Sequence, residues 1–168
     1  MSKLSTALET NPTVFNKNVG VSDSASEIWR DTENIRDYFA GSVTFGERLA
    51  KVLEVLLKEK EEHSIDNWDG YGAKAINIDS YNYAWYFALS LPSLPSSIPM
   101  PEIYVNPDGY VTYEWYEGKR RVFSVIVGNR NELAYAGLYG ASKTYGVEYM
   151  YEEIPENIIR NINGLYSE

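Results

Sequence analysis

Three side chains able to do acid/base or metal chemistry stand close together in the chain: His63, Asp66 and Asp69. An imidazole with two carboxylates can ligate a metal or shuttle a proton, provided that the groups converge within ligand or hydrogen-bond distance. His63 is the one histidine and there is no cysteine, so thiolate nucleophiles, disulfides and Cys-built zinc sites are excluded. Any transition-metal site would rest on one imidazole plus carboxylates, an unpromising donor set. The position of His63 has a plainer account: it falls in the last turn of a long helix, where an imidazolium interacts favourably with the terminal carbonyls. No catalytic residue, metal or cofactor is therefore expected.

The segment Trp68-Asp69-Gly70-Tyr71-Gly72-Ala73 is the second candidate. Two glycines give backbone freedom beside two large rings, and an Asp-Gly step makes a tight turn whose carboxylate accepts its own backbone N–H groups. Such a loop can bind a ligand through Trp68, Asp69 and Tyr71, or it can be a plug: Trp68 under a sheet edge, Asp69 tied to local N–H groups, Tyr71 capping a helix pair. Neither a P-loop nor a dinucleotide fingerprint occurs. Arg120, Arg121, Arg130 and Lys143 are the densest basic grouping, flanked by Glu114, Glu117 and Glu132. Interleaved charges of this kind read as a solvated sheet edge, not a phosphate channel, with an anion-binding pocket at Arg120 and Arg121 as the alternative. A small hydrolase or nucleotide-handling enzyme would have to use Asp66, Asp69, Glu114 and Arg121.

The elements that must position these groups follow from hydrophobic period. Phe45, Leu49, Val52, Leu53, Leu56 and Leu57 recur at spacings of three and four across residues 45–62, which predicts an amphipathic helix with Thr44 as its N-cap and Glu47 completing a capping box. Glu47/Lys51 and Glu54/Lys58 have the favourable i,i+4 order. Asp79 is a plausible cap for a second, aromatic helix over 80–89, which the prolines at 92, 95, 99 and 101 end. From Glu102 the period is two. Strands are expected over 102–105, 110–116, 120–127, 133–139 and 144–151, joined by links too short for parallel crossovers. Pro155 then opens a closing helix with Ile158, Ile159, Ile162 and Leu165 on one side. The fold class expected is α+β: an antiparallel meander of four to five strands packed against two to three helices. Residues 1–41 form a peripheral arm, in which 26–39 could be a short helix, and 42–168 form a single domain.

If Glu117-Gly118 is a two-residue hairpin loop, Tyr116 faces Lys119 and Glu114 faces Arg121. Val111, Tyr113, Trp115, Val122, Ser124 and Ile126 then form the core face. Tyr110, Thr112, Glu114, Tyr116, Lys119, Arg121, Phe123 and Val125 form the other, a mixture of rings and charges that reads either as a half-solvated sheet face covered by the arm, since lone aromatics on sheets mostly serve packing, or as an interaction surface. Gly137, between rings in Tyr135-Ala136-Gly137-Leu138-Tyr139, implies a close approach by packed groups or a ligand.

The 24 acidic and 15 basic side chains give a charge of −9, spread along the chain, so direct nucleic-acid binding is disfavoured. Opposite charge steers encounter, which makes a basic or nucleic-acid-binding protein a fitting partner. The 15 Tyr and 4 Trp exceed the needs of one core, because each ring carries a polar group that requires a partner or water. Some rings are therefore expected at a protein-facing surface: Trp29 and Tyr38 from the arm, with Tyr110, Tyr116, Phe123 and Arg121 from the sheet. No signal-peptide pattern or apolar run of membrane length is present, so a cytoplasmic location with no membrane partner is expected. A homodimer is left open.

Trp68-Asp69-Gly70-Tyr71-Gly72-Ala73, Pro107-Asp108-Gly109, Glu114-Trp115, the RVFSV run 121–125, Tyr135-Ala136-Gly137 and the Ile154-Pro155 helix start together resemble a group of short uncharacterised bacterial proteins. The resemblance covers about residues 45–165 and implies a bacterial or phage origin and a recurrent domain, with no catalytic residues to carry over. The function expected is that of a protein-binding regulator or inhibitor, antitoxin-like or directed at a defence component, acting through an aromatic, acidic surface. The alternatives are a small enzyme built on Asp66, Asp69, Glu114 and Arg121, and an acidic mimic of nucleic acid.

Overall fold

The structure is a computed structural model that describes residues 46–91 and 94–167. Chain contacts divide the protein between Ala40 and Gly41, and the described residues all belong to the second unit. Trp29, Tyr38 and the proposed Thr44 cap lie outside the described residues.

Helix α1 runs over 46–62 and buries Val52 and Leu56, with Leu53 partly covered. Leu57 stays half exposed, so its buried stripe is narrower than the periodicity suggests. On its outer side Lys58 pairs with Glu62 at 3.7 Å. Helix α2, Ile78–Ser90, is capped ahead of Asp79: the Asn77 side-chain oxygen accepts the Ser80 N–H at 3.0 Å. Asn satisfies an orphan donor there as well as Asp would. Its inner stripe is Ser80, Tyr81, Ala84, Phe87 and Ala88, while Tyr86 and Leu89 face outward.

The strands are β1 Glu102–Val105, β2 Val111–Gly118, β3 Arg121–Val127, β4 Glu132–Tyr139 and β5 Ser142–Tyr149. They form one antiparallel meander in the order β1-β2-β3-β4-β5. Helix α3, Glu156–Tyr166, follows Pro155 and buries Ile158, Ile162 and Leu165. The fold is thus the α+β arrangement expected, a five-strand sheet packed against three helices.

All three helices add to one core, on one face of the sheet. At its centre Phe87 meets Tyr113 at 4.8 Å between ring centroids, and Trp115 and Phe123 continue the ring stack toward Tyr135. Three of the polar handles buried there are satisfied locally, those of Tyr113, Trp115 and Ser80. The Tyr113 hydroxyl donates to the Ala84 carbonyl at 2.7 Å, and Trp115 Nε1–H to the Pro99 carbonyl at 3.2 Å. Ser80, fully buried, donates to the Val127 carbonyl at 2.6 Å and accepts the Val111 N–H at 2.9 Å, locking α2 to two strands. Burial, with the Tyr81 hydroxyl nearby, pushes the Tyr113 phenol well above the usual tyrosine range.

The β2–β3 turn differs from expectation. Gly118 pairs with Arg121, so Lys119-Arg120 is the two-residue loop, and Glu117 is an extra residue where the register shifts. Arg120, the second loop residue, adopts the left-handed conformation at φ 65°, and Gly118 before the loop is at φ 130°. Tyr116 consequently opposes Val122 instead of Lys119, an odd shift, and an odd shift turns every side chain of the strand over. The core face of β3 is Phe123, Val125 and Val127, not Val122, Ser124 and Ile126.

Candidate functional site

The same shift decides what the other face of the sheet presents. Its central strands carry aliphatic and small side chains: Val122, Ser124 and Ile126 on β3 lie beside Leu138, Ala136 and Ala134 on β4. The flanking strands carry rings. Tyr104 of β1 and Tyr116 of β2, with Tyr110 just ahead of β2, stand on one side, and Tyr145, Val147 and Tyr149 of β5 stand on the other. Alternation in β5 puts Tyr145, Val147 and Tyr149 on one face, and Tyr145 is 77% exposed. Tyr116 is 62% exposed. The outcome is a trough parallel to β3 and β4, walled by tyrosines and lowest where Ser124, Ala134 and Ala136 form its floor between the aliphatic Val122, Ile126 and Leu138. From β2 to β5 there are three strand spacings, roughly 14 Å, enough for an α-helix about 10–12 Å across to lie between the walls.

One end of the trough deepens into a depression of about 630 Å³ bordered by Tyr110, Ile126, Gly128, Arg130, Glu132 and Tyr149. Here the β3–β4 turn places both Arg130 and Asn131 at positive φ, 56° and 58°. Asn131 is held there because its side-chain N–H donates to the Met150 carbonyl at 2.6 Å and its own carbonyl accepts the Met150 N–H.

Farther along the trough Glu114 accepts the Ser124 hydroxyl at 2.8 Å and the Tyr104 hydroxyl at 3.3 Å, through one carboxylate oxygen. Glu102 stands directly opposite Glu114 in the β1–β2 register. Burial first, then the Glu114 charge and hydrogen bond, then the Glu102 charge raise the Tyr104 phenol above its ordinary value. The expected Glu114/Arg121 pair does not form. Arg121 is on the core side, where its guanidinium donates to the Leu165 carbonyl and, at 2.9 Å, to the Ser167 carbonyl, capping the C-terminus of α3. Phe123 is fully buried and so leaves the proposed surface. Tyr110 and Tyr116 remain on it. Tyr104, Tyr145 and Tyr149 join it; their place was readable from period-two alternation, but only once a core face had been fixed.

The His63 cluster does not converge. His63 Nδ1 lies 2.8 Å from the Glu59 carbonyl, its ring packs edge-on against Trp68 at 4.2 Å, and this is the helix-end role its position suggested. The Asp66 carboxylate accepts the Ala75 N–H at 2.8 Å. Asp69 accepts the Tyr71 and Ala73 N–H groups, at 2.8 and 3.1 Å, and these bonds hold its carboxyl below the ordinary range. Trp68 Nε1–H donates to the Lys74 carbonyl at 2.9 Å. Lys74 N–H and Asn77 N–H then bond the Pro107 and Gly109 carbonyls, so the loop ties α1 and α2 to the β1–β2 turn. Tyr71 departs from the plug expected: it caps nothing and is 95% exposed. Among the described residues there is no group of three or more potential metal-ligating side chains, and no helix is long and apolar enough to cross a membrane.

Comparison of the chain with protein families, with curated proteins and with solved structures gives no match.

Proposed function

We propose that the protein is a binding domain, a regulator or inhibitor of another protein, and that its open sheet face receives a helix of that partner. The observation that carries the reading is the trough itself: a low, uncharged centre of Ser124, Ala134 and Ala136 with Val122, Ile126 and Leu138 on β3 and β4, between two exposed rows of tyrosines. Tyrosine supplies broad, rigid contact area with a polar tip, and interfaces concentrate their energy in a few such rings. A flat or charged face would offer neither depth nor anchors. The residues an enzyme would need do not support that alternative, because Asp66 and Asp69 satisfy loop N–H groups and Arg121 caps a helix.

Ala136 is exposed in the trough floor between Ser124 and Tyr145, so Ala136→Trp raises an obstacle where the partner helix would lie. The expected result is that wild-type protein retains a partner from source-cell extract that Ala136→Trp does not, with equal melting temperatures. Retention of the same partner by both proteins would move the interface off this face.

A further inference from the structure

Within the trough we propose a cation subsite made by Glu102, Glu114 and the Tyr104 ring, which takes the guanidinium of an arginine on the partner helix. The inference rests on the proposed binding function and names its chemistry. It begins from a conflict: two carboxylates directly opposite one another on adjacent strands repel, and a sheet is more stable without them. Among the described residues neither carboxylate meets a lysine or arginine. The cation that sequence reasoning supplied for Glu114, Arg121, is on the opposite face, engaged with the end of α3.

Glu114 is also oriented in advance. The Ser124 and Tyr104 hydroxyls both bond one of its oxygens, Oε2, and leave Oε1 to accept from outside. A carboxylate fixed in this way loses little freedom when a partner arrives. Thr112 adds an independent sign. It lies across from Tyr104 and two residues from Glu114 on the same face, is 2% exposed, and its hydroxyl has no partner among the described residues. Buried hydroxyls are ordinarily satisfied, and an orphan on the same face as a glutamate pair that meets no cation among the described residues leaves a polar group there to be completed.

Guanidinium fits these groups better than a metal ion or an ammonium. It is planar and stacks on a tyrosine face, its fork of N–H donors matches a carboxylate, and it is weakly hydrated, so entering a half-buried trough costs it little. A divalent ion would want more oxygen donors than two separate carboxylates provide.

The test uses the full chain and N-acetyl-arginine amide, followed by NMR, with N-acetyl-norleucine amide and calcium as separate probes. Millimolar arginine amide is expected to shift the Tyr104, Glu114 and Ser124 signals, and Glu114→Gln and Glu102→Gln to weaken that binding at least threefold. The norleucine amide should shift nothing there. Glu102→Gln should also raise the melting temperature by about 1–4 °C, because it removes the repulsion. A merely structural Glu102 would lower it. The subsite is overturned if arginine amide shifts these signals equally in both variants, if calcium alone shifts them, or if Glu102→Gln is destabilising. The two readings fail separately. A partner lost by Ala136→Trp and kept by Glu114→Gln sinks the subsite alone, whereas arginine binding at Glu114 with the partner kept by Ala136→Trp sinks the trough interface alone.

Discussion

Asp69 is partly exposed and holds much local order. Its carboxylate holds the Tyr71 and Ala73 N–H groups of a loop that turns through Gly70 at φ 76° and Gly72 at φ 96°, conformations that a side chain would strain. Those bonds favour the charged form, so its folded pKa lies below the ordinary 3.8. A depressed carboxylate contributes stability that is complete above the unfolded value and is lost as pH falls through the folded one. Acid titration of stability from about pH 5 downward should therefore show a loss below about 3.8 that Asp69→Asn, which keeps an acceptor oxygen without the proton site, lacks. Identical acid profiles would mean that the loop does not depend on this charge. The residue types alone announced this turn. They did not announce that Tyr71 would be left in solvent, because that depends on the loop leaning toward the Pro107–Gly109 turn through Lys74 and Asn77.

Among the elements, the short β2–β3 hairpin had the largest consequence. One extra residue at Glu117 and a loop at Lys119-Arg120 set the facing of all of β3. Phe123 becomes a core ring against Trp115 and Tyr135, and Gly137 has to be a glycine because a Cβ there would come within 2.9 Å of the Phe123 ring. Arg121, on the same side, reaches the last turn of α3. Helix ends leave carbonyls without donors, and a guanidinium satisfies several at once. Arg121→Met should cost about 1.5–3 kcal/mol in urea denaturation, by the loss of charge-assisted bonds to the Leu165 and Ser167 carbonyls. Phe123→Ala should cost about 3–5 kcal/mol, because it empties a fully buried site. Were Phe123→Ala neutral for stability but harmful to partner binding, the observed facing of β3 would be wrong and a Glu117-Gly118 loop would be right.

For the molecule as a whole, helices occupy one face of the sheet and the exposed tyrosines Tyr104, Tyr116, Tyr145 and Tyr149 line the other, so α1, α2 and α3 make the scaffold behind the trough. Exposed rings occur elsewhere too, Tyr86 on α2 among them, and these provide the internal control. Truncation of a true anchor costs at least about 2 kcal/mol of binding while the fold persists. Tyr116→Ala and Tyr145→Ala should each weaken partner binding to that degree in a calorimetric titration with the captured partner, and Tyr86→Ala should not. Equal losses at all three positions would argue for general stickiness instead of a defined interface.

Element order, the meander, the helix-end role of His63 and the surplus of rings were all legible in the chain alone. Each of these is written in local terms: a period of 3.6 or of two, a turn too short for a crossover, a capping position, a count of side chains. The division of the rings between core and surface, and the separation of Glu114 from Arg121, came only with the packed molecule. Strand facing has no energy of its own. It is set by a single register choice in which Phe123, Val125 and Val127 fit against α2 and α3 better than Val122, Ser124 and Ile126 would, and a turn sequence of Glu-Gly-Lys-Arg permits either outcome until that packing selects one.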